Sequence, residues 1–139
     1  MRFISFHCEY FRYEVKKKSR SKIFEEKNEN NKTGTLDNAI ILFISVEKQD
    51  EINHDYLSQA ISEIESITKQ LKVYNVGIIP FAHLFGELSD QEFGLKALKA
   101  LEEQLINLGY RILRPPYGWF NELELKAKGH PLSRISRRI

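Results

Sequence analysis

One run of residues, 38–46, limits the folds open to this chain more than any other feature of the sequence. It reads Asn-Ala-Ile-Ile-Leu-Phe-Ile-Ser-Val and is the most hydrophobic stretch of the 139 residues. Nearly continuous apolar residues are typical of a strand whose sheet is covered on both faces. The sequence therefore predicts a fully buried strand here.

A helix and a second buried strand are predicted after this run. From His54 to Lys72 the apolar residues recur at intervals of three and four, which places them on one face of a helix; they are Leu57, Ile61, Ile64, Ile67 and Leu71. Residues 76–79 are apolar or small and predict a strand. Pro80 ends this strand because proline has no amide hydrogen to give to the ladder. A second helix is predicted from the capping pattern at 89–92 to Gly109.

Four further strands complete the predicted fold. They cover residues 2–7, 9–18, 110–113 and 121–126, and the second lies near a sheet edge because charges interrupt its apolar residues. Residues 19–34 predict a polar loop and residues 132–139 a basic tail. The predicted fold class is α/β: a single mixed β-sheet with two helices packed on it, in one domain that spans 1–139.

Composition and charge are those of an ordinary globular protein. Hydrophobic residues make up 42% of the chain and the net charge is +2, so no strong field covers the whole molecule. Basic residues nevertheless cluster at 12–22 and 126–138, where they offer contacts for a phosphate backbone or form a solvated surface. Cys8 is the only cysteine, and neither a signal peptide pattern nor an apolar run of ~18 residues is present. We expect a cytoplasmic protein without a membrane segment.

The ends of the predicted strands carry the candidate chemistry. His83 follows Pro80 within three residues, and open α/β sheets bind ligands at strand ends; a hydrogen-bonded loop histidine is the alternative. The four histidines are far apart in sequence and there is one thiol, so neither a metal site nor a cofactor is predicted. A Cys8–His83 nucleophile pair remains a minor alternative. The aromatic turn at 116–120 either stacks on a base or packs over the sheet.

These stretches together resemble a known family. The residues that carry the resemblance are Pro80-Phe81-Ala82-His83-Leu84 with Glu87-Leu88, Pro116-Tyr117-Gly118-Trp119-Phe120, Lys128-Gly129-His130-Pro131-Leu132 with Ser136-Arg137, and Ile44-Ser45-Val46-Glu47-Lys48. In this combination they resemble the archaeal threonyl-tRNA synthetase N-terminal editing domain, over essentially the whole chain. The resemblance implies a fold similar to the D-aminoacyl-tRNA deacylases, a homodimer, and hydrolysis of serine mischarged onto threonine tRNA.

The resemblance also assigns roles to individual residues. It implies that backbone groups of the substrate-binding residues form the pocket; these are Val46, Pro80, Phe81, Ala82, Tyr117 and Gly118. It gives His83, Phe120 and Asn121 catalytic roles, and Arg134 a role in substrate binding. Phe120 stands where the family usually has tyrosine, Asn121 where it has a lysine linked to the hydrolytic water, and Arg134 where it has glutamate.

The sequence leaves two other functions open. One is a D-aminoacyl-tRNA deacylase of the same fold, and the other is a tRNA-binding module in which Asn121 and Arg134 have weakened catalysis. In each case the expected partner is the aminoacylated 3′ end of a tRNA. A threonyl-tRNA synthetase catalytic domain, joined in cis or acting in trans, is a further expected partner.

Overall fold

The computed structural model describes residues 1–84 and 86–139. The strands are β1 (Arg2–Lys18), β2 (Thr33–Ser45), β3 (Asn75–Pro80), β4 (Arg111–Leu113), β5 (Trp119–Ala127) and β6 (Arg134–Arg138). The α-helices are α1 (Tyr56–Leu71) and α2 (Gln91–Asn107), and a short 3-10 helix covers Lys48–Glu51. Within the described residues no helix is both long and apolar enough to cross a membrane.

All six strands belong to one sheet. Its order is β4-β3-β2-β1-β5, and β6 also pairs with β1. Strands β2, β3 and β4 are parallel to one another, whereas β1 is antiparallel to β2, β5 and β6. The predicted mixed sheet with two helices is therefore confirmed.

Three strand predictions need correction. The two strands predicted at 2–7 and 9–18 are a single strand, β1, which lies inside the sheet and not at its edge. The strand predicted from Asn38 begins at Thr33. The expected basic tail contains β6, whose Arg134 to Arg138 pair with the first residues of β1. A strand with one apolar position among four basic and polar ones gives little hydrophobic signal, so its pairing was not visible in the sequence.

The hairpin of β1 and β2 bends sharply in its middle. The register with β5 shifts between Cys8 and Tyr10, and Asn38, at the same level of β2, has a left-handed φ of 43°, which asparagine tolerates better than most residues. Gly34 of β2 lies against the side chain of Leu113, two strands away in the sheet. This contact shows that the distal half of the hairpin, residues 10–18 of β1 and 33–37 of β2, folds back over the sheet.

The bend produces two apolar cores. On one face of the sheet, Ile40, Leu42 and Ile44 pack against both helices. On the other face, a second cluster contains residues of the distal hairpin together with residues of β2 and β3; its buried members are Cys8, Phe11, Tyr13, Val15, Leu36, Ala39, Ile41 and Ile79. The folded-back hairpin and β5 therefore cover this face, as the helices cover the other, and the central strand β2 is buried on both faces.

Candidate functional site

The sheet forms one layer, and the folded-back half of the hairpin with β5 forms a second layer on one of its faces. A cavity of about 610 Å³ opens at one end of the space between these two layers. Strands β2, β3 and β4 are parallel, so their carboxyl ends reach the same edge of the sheet, and the residues after each of them line the cavity. The residues directly after β1, Ser19 to Ser21, and the start of β5 close it from the opposite layer. A cavity of this size at a switch between strand directions is typical of a small-ligand site.

The segment after β3 forms one wall of the cavity. The Phe81 amide donates to the Ile44 carbonyl at 2.7 Å, which continues the pairing of β3 with β2 one residue beyond Pro80. The Phe81 ring stands edge-on to Phe43, with 6.1 Å between ring centroids. The Ala82 and His83 amides and carbonyls make no hydrogen bond to the described part of the chain. The side chain of His83 is exposed at the cavity.

The end of β2 supplies the floor. Val46 and Ser45 both line the cavity and are buried. The Val46 carbonyl accepts from the Ser89 amide at 3.1 Å, so part of its hydrogen-bonding capacity is already used. The Ser45 hydroxyl has no hydrogen-bond partner among the described residues.

Glu25 fixes the aromatic turn that forms the third wall. Arg114 donates to its carboxylate from Nη1 at 2.6 Å and Nη2 at 3.0 Å, and the Tyr117 amide donates at 2.8 Å. The Glu25 amide donates to the Tyr117 carbonyl at 3.0 Å, and Trp119 Nε1 donates to the Glu25 carbonyl at 2.8 Å. One glutamate thus joins the polar loop to both ends of the turn.

The charge state of Glu25 follows from these contacts. Burial alone would raise the pKa of the carboxyl, but the hydrogen bonds from Arg114 and Tyr117 and the positive charges of Arg114 and Lys99 lower it to about 2. The carboxylate therefore stays ionised down to strongly acidic pH.

Gly118 allows the turn to lie close to the polar loop. Its φ is +87°, and an added Cβ would lie 2.6 Å from the Phe24 Cβ and 2.9 Å from the Ile23 carbonyl oxygen. Its carbonyl accepts from the Ser19 amide at 2.9 Å. Neither the conformation nor the space suits a larger residue at this position.

The start of β5 places the next two predicted residues at the cavity. Phe120 lines it with a side chain that is 61% exposed. Asn121 is half-buried, and its Nδ2 donates only a long bond of 3.4 Å to the Trp119 carbonyl. Its Oδ1 is buried without a hydrogen-bond partner among the described residues.

Basic residues lie beside the mouth of the cavity. Arg20 lines it between Ser19 and Ser21 and is exposed. Lys18 and Lys27 stand over the aromatic rings of Phe24 and Trp119, at 3.3 and 5.4 Å from the ring centroids. The basic cluster at 12–22 therefore borders the site. The basic cluster at 126–138 includes β6, which pairs with the opposite end of β1.

The structure brings together most of the site residues predicted from the sequence. Nine of them line the cavity: Val46, Pro80, Phe81, Ala82, His83, Tyr117, Gly118, Phe120 and Asn121. Arg134 does not line it. Arg134 pairs with Phe6 on β1, while Asn121 pairs with Val15, so the two are far apart along this strand.

The Cys8–His83 alternative is not supported by the geometry. Cys8 is fully buried in the second core and does not line the cavity. Burial raises the pKa of its thiol to about 11, which keeps it in the unreactive protonated form near neutral pH.

Three cavity features were not predicted from the sequence: Ser45 as an unpaired hydroxyl, Glu25 as an anchor, and Arg20 at the mouth. Ser45 stands in an apolar strand, where a serine gives no functional signal. Glu25 is followed by Glu26 in a polar loop, and no local pattern separates the partly buried glutamate from the exposed one. Only the tertiary contacts distinguish them.

Comparisons with known proteins give one family for this chain. A family model described as the archaea-specific editing domain of threonyl-tRNA synthetase matches residues 1–139. The threonine–tRNA ligase of Thermococcus sibiricus is 43% identical over 140 residues, which cover 100% of this chain and 22% of the ligase. That of Methanocaldococcus jannaschii is 41% identical over the same shares of the two chains. The chain thus spans about a fifth of the length of these relatives.

A solved structure has the same fold at low sequence identity. The c-Myc DNA Unwinding Element Binding Protein superimposes with a TM-score of 0.66 and 13% identity, over 100% of this chain and 99% of that one. This similarity supports the predicted fold class and nothing more. Since the family model covers the whole chain and the relatives exceed 40% identity, the chain belongs to the archaea-specific editing-domain family of threonyl-tRNA synthetase.

Proposed function

We propose that this chain is an aminoacyl-tRNA ester hydrolase that removes serine mischarged onto threonine tRNA. One observation carries the proposal: in a chain of the editing-domain family, His83, Asn121 and the unengaged backbone of Ala82 meet in a single cavity with a basic mouth. The need for such a site is chemical. Serine is smaller than threonine by one methyl group, so a synthesis site cannot exclude it by size, and a methylene-sized difference gives only ~1–3 kcal/mol of discrimination.

The proposed reaction is ester hydrolysis by water. The water oxygen forms a bond to the ester carbonyl carbon, and the bond from that carbon to the ribose oxygen breaks. The ribose oxygen leaves with a proton as the terminal hydroxyl, and serine leaves as the free acid. The amides of Ala82 and His83 make no other hydrogen bond to described residues, so they are available to stabilise charge on the carbonyl oxygen.

The cavity side chains take supporting roles in this proposal. His83 is exposed beside the unengaged amides, where it holds the amino-acid part of the ester. Asn121 lines the cavity, and its Nδ2, engaged only in a long bond of 3.4 Å to the Trp119 carbonyl, donates a hydrogen bond to the attacking water. An amide carries no charge, so the substrate's own 2′-hydroxyl supplies the larger share of the assistance. Phe120, largely exposed at the rim, provides a face on which the terminal base stacks.

The basic mouth receives the phosphates next to the terminal adenosine. Arg20 lines the cavity, and no ion pair joins it to a described residue. By contrast, Arg12 lies 3.9 Å from Glu124 and over the ring of Tyr10. Each phosphate neutralised on a single strand changes the slope of log K against log salt by about 0.7. Arg20→Ala should therefore reduce that slope by about 0.7, while Arg12→Ala leaves it nearly unchanged.

Arg134 and the remaining partners belong to the same proposal. Because Arg134 lies outside the cavity of its own chain, we assign it to the tRNA backbone away from the 3′ end. A synthetase catalytic domain, in cis or in trans, supplies the mischarged tRNA. A second copy of this chain docks through the apolar surface formed by Phe6, Phe43 and Phe81. The Phe43 ring makes an edge-on contact with each of the other two rings. Sedimentation that gives a monomer at micromolar concentration would contradict the homodimer.

Single-turnover deacylation tests the proposed reaction. Threonine tRNA is charged with serine, with threonine or with D-serine, and the loss of each ester is followed with and without the protein. We expect rapid loss of the seryl ester and slow loss of the threonyl ester. Faster loss of the D-seryl ester would favour a D-aminoacyl-tRNA deacylase. Tight binding without hydrolysis of any ester would identify a binding module and contradict the proposal.

A further inference from the structure

The hydroxyl of Ser45 is an unusual group for this fold. Ser45 is the last residue of β2, pairs with Arg2 and is 1% exposed. Its side chain points to the opposite face from Ile44, which packs on the helices, since successive residues of a strand alternate. That orientation directs it between the two layers of the fold, where it lines the cavity. Its Oγ has no hydrogen-bond partner among the described residues.

The other buried hydroxyls behave differently. Ser5 of β1 is 2% exposed, and its Oγ donates to the Ile135 carbonyl at 3.2 Å. Ser133 donates to the His130 carbonyl at 2.6 Å, and the Thr68 hydroxyl lies 2.7 Å from the Tyr110 hydroxyl. Buried polar groups are normally paired, and an exception calls for a reason. At Ser45 the adjacent cavity supplies one, because an incoming ligand can complete the bond.

A second unpaired atom belongs to a residue that lines the cavity from the opposite layer. Asn121 Oδ1 is buried without a partner among the described residues, and Asn121 is placed by its pairing with Val15 of the distal hairpin. Two of the three unpaired buried side-chain atoms of the described residues thus belong to residues that line this one cavity, which favours a polar ligand group at this site. Packing alone would have been served better by alanine or valine at position 45.

We infer that the Ser45 hydroxyl binds the side-chain hydroxyl of the seryl group, which makes Ser45 a specificity-determining residue of this site. The inference rests on the proposed function. A neutral hydroxyl both donates and accepts, and it suits the most buried, apolar end of the cavity, flanked by Ile44 and Val46. The substrate's α-ammonium group carries a charge that a single buried hydroxyl does not compensate. The ester carbonyl is already matched by the unengaged amides of Ala82 and His83.

The test compares two substrates with two variants. Ser45→Ala is assayed by single-turnover hydrolysis of seryl and alanyl esters of the same tRNA, which differ only in the hydroxyl. We expect the variant to hydrolyse the seryl ester about three- to tenfold more slowly, as for the loss of one neutral hydrogen bond. The alanyl ester should change by less than about twofold. Equal slowing of both esters, or of neither, overturns the inference while the proposed function stands.

Thermal melting and a matched variant complete the design. Ser5→Ala removes a hydroxyl that is buried and paired outside the cavity, so it should lower the melting temperature without changing the seryl-to-alanyl ratio. Ser45→Ala removes an unpaired hydroxyl and should melt no lower than the wild type. A lower melting temperature for Ser45→Ala, by as much as for Ser5→Ala, overturns the inference. Wild-type protein that hydrolyses no aminoacyl ester refutes the proposed function itself.

Discussion

Replacement of Glu25 by glutamine probes the contact that holds the site together. The carboxylate binds Arg114 through two hydrogen bonds and the Tyr117 amide through a third. Glutamine has nearly the same shape but is neutral, so it resembles the protonated glutamate. Arg114 is only 8% exposed and would keep its bond of 2.6 Å to Glu102. The variant should therefore fold, but with a less stable turn.

The size of the effect follows from the pKa of Glu25. The value is lowered from 4.5 to about 2, and each unit corresponds to about 1.4 kcal/mol, so the ionised form adds on the order of 3 kcal/mol to the free energy of unfolding. The side chain is 21% exposed, so screening by water is modest. Because the folded-state pKa is depressed, this contribution is complete above about pH 5 and is lost as the pH falls towards 2.

Urea unfolding at several pH values measures this contribution. At pH 7 we expect Glu25→Gln to lose about 2–4 kcal/mol relative to the wild type, and at pH 3 about half of that or less. Glu26→Gln is the matched control, because Glu26 is the next residue in the chain and its side chain is exposed. A loss below about 1 kcal/mol at pH 7, or a loss that does not shrink at pH 3, would refute the assignment of Glu25 as the anchor of the turn.

Three further predictions concern the cavity. His83→Ala should slow seryl ester hydrolysis at least tenfold and leave the melting temperature within a few degrees, since the side chain is exposed; a large drop in melting temperature with unchanged turnover would contradict it. Gly118→Ala should destabilise the fold by roughly 2 kcal/mol or more, because its φ is +87° and Phe24 fills the space; unchanged urea unfolding would count against this. Asn121→Lys should speed hydrolysis about three- to thirtyfold, since a charged donor exceeds a neutral one by ~1–2 kcal/mol, and a 2′-deoxy terminal adenosine should slow it far more. A thousandfold gain with normal reaction of the deoxy substrate would disprove that account.

Much of the fold follows from local patterns in the sequence. The periodic apolar residues of α1 and α2 and the apolar runs of β2 and β3 each specify an element whose type is confirmed. Helix α2 begins where a cap was predicted, and the Asp90 side chain accepts from the Glu92 amide at 2.9 Å. Each of these signals arises within a few residues, which is why a single sequence reveals it.

The bend of the hairpin and its consequences were not predictable in this way. The break at Asn38 and Glu9 depends on pairing between residues about thirty positions apart. Without the bend, no local pattern shows what covers the second face of the sheet or brings the polar loop to the site. Most of the candidate site residues were predicted through the resemblance to the editing-domain family, whereas the position of a residue after a strand end indicated only His83. Glu25 and Ser45 were missed because only long-range contacts give them their surroundings.

The position of a bound substrate analogue tests the central claim most directly. A crystal structure of the protein with a non-hydrolysable seryl-amide analogue of the 3′-terminal adenosine should show the seryl group in the cavity. Its carbonyl should lie within hydrogen-bond distance of the Ala82 or His83 amide, and its adenosine should point towards Arg20. An analogue bound elsewhere on the protein, or bound in the cavity in the reverse orientation with its base at Ser45, would contradict the account.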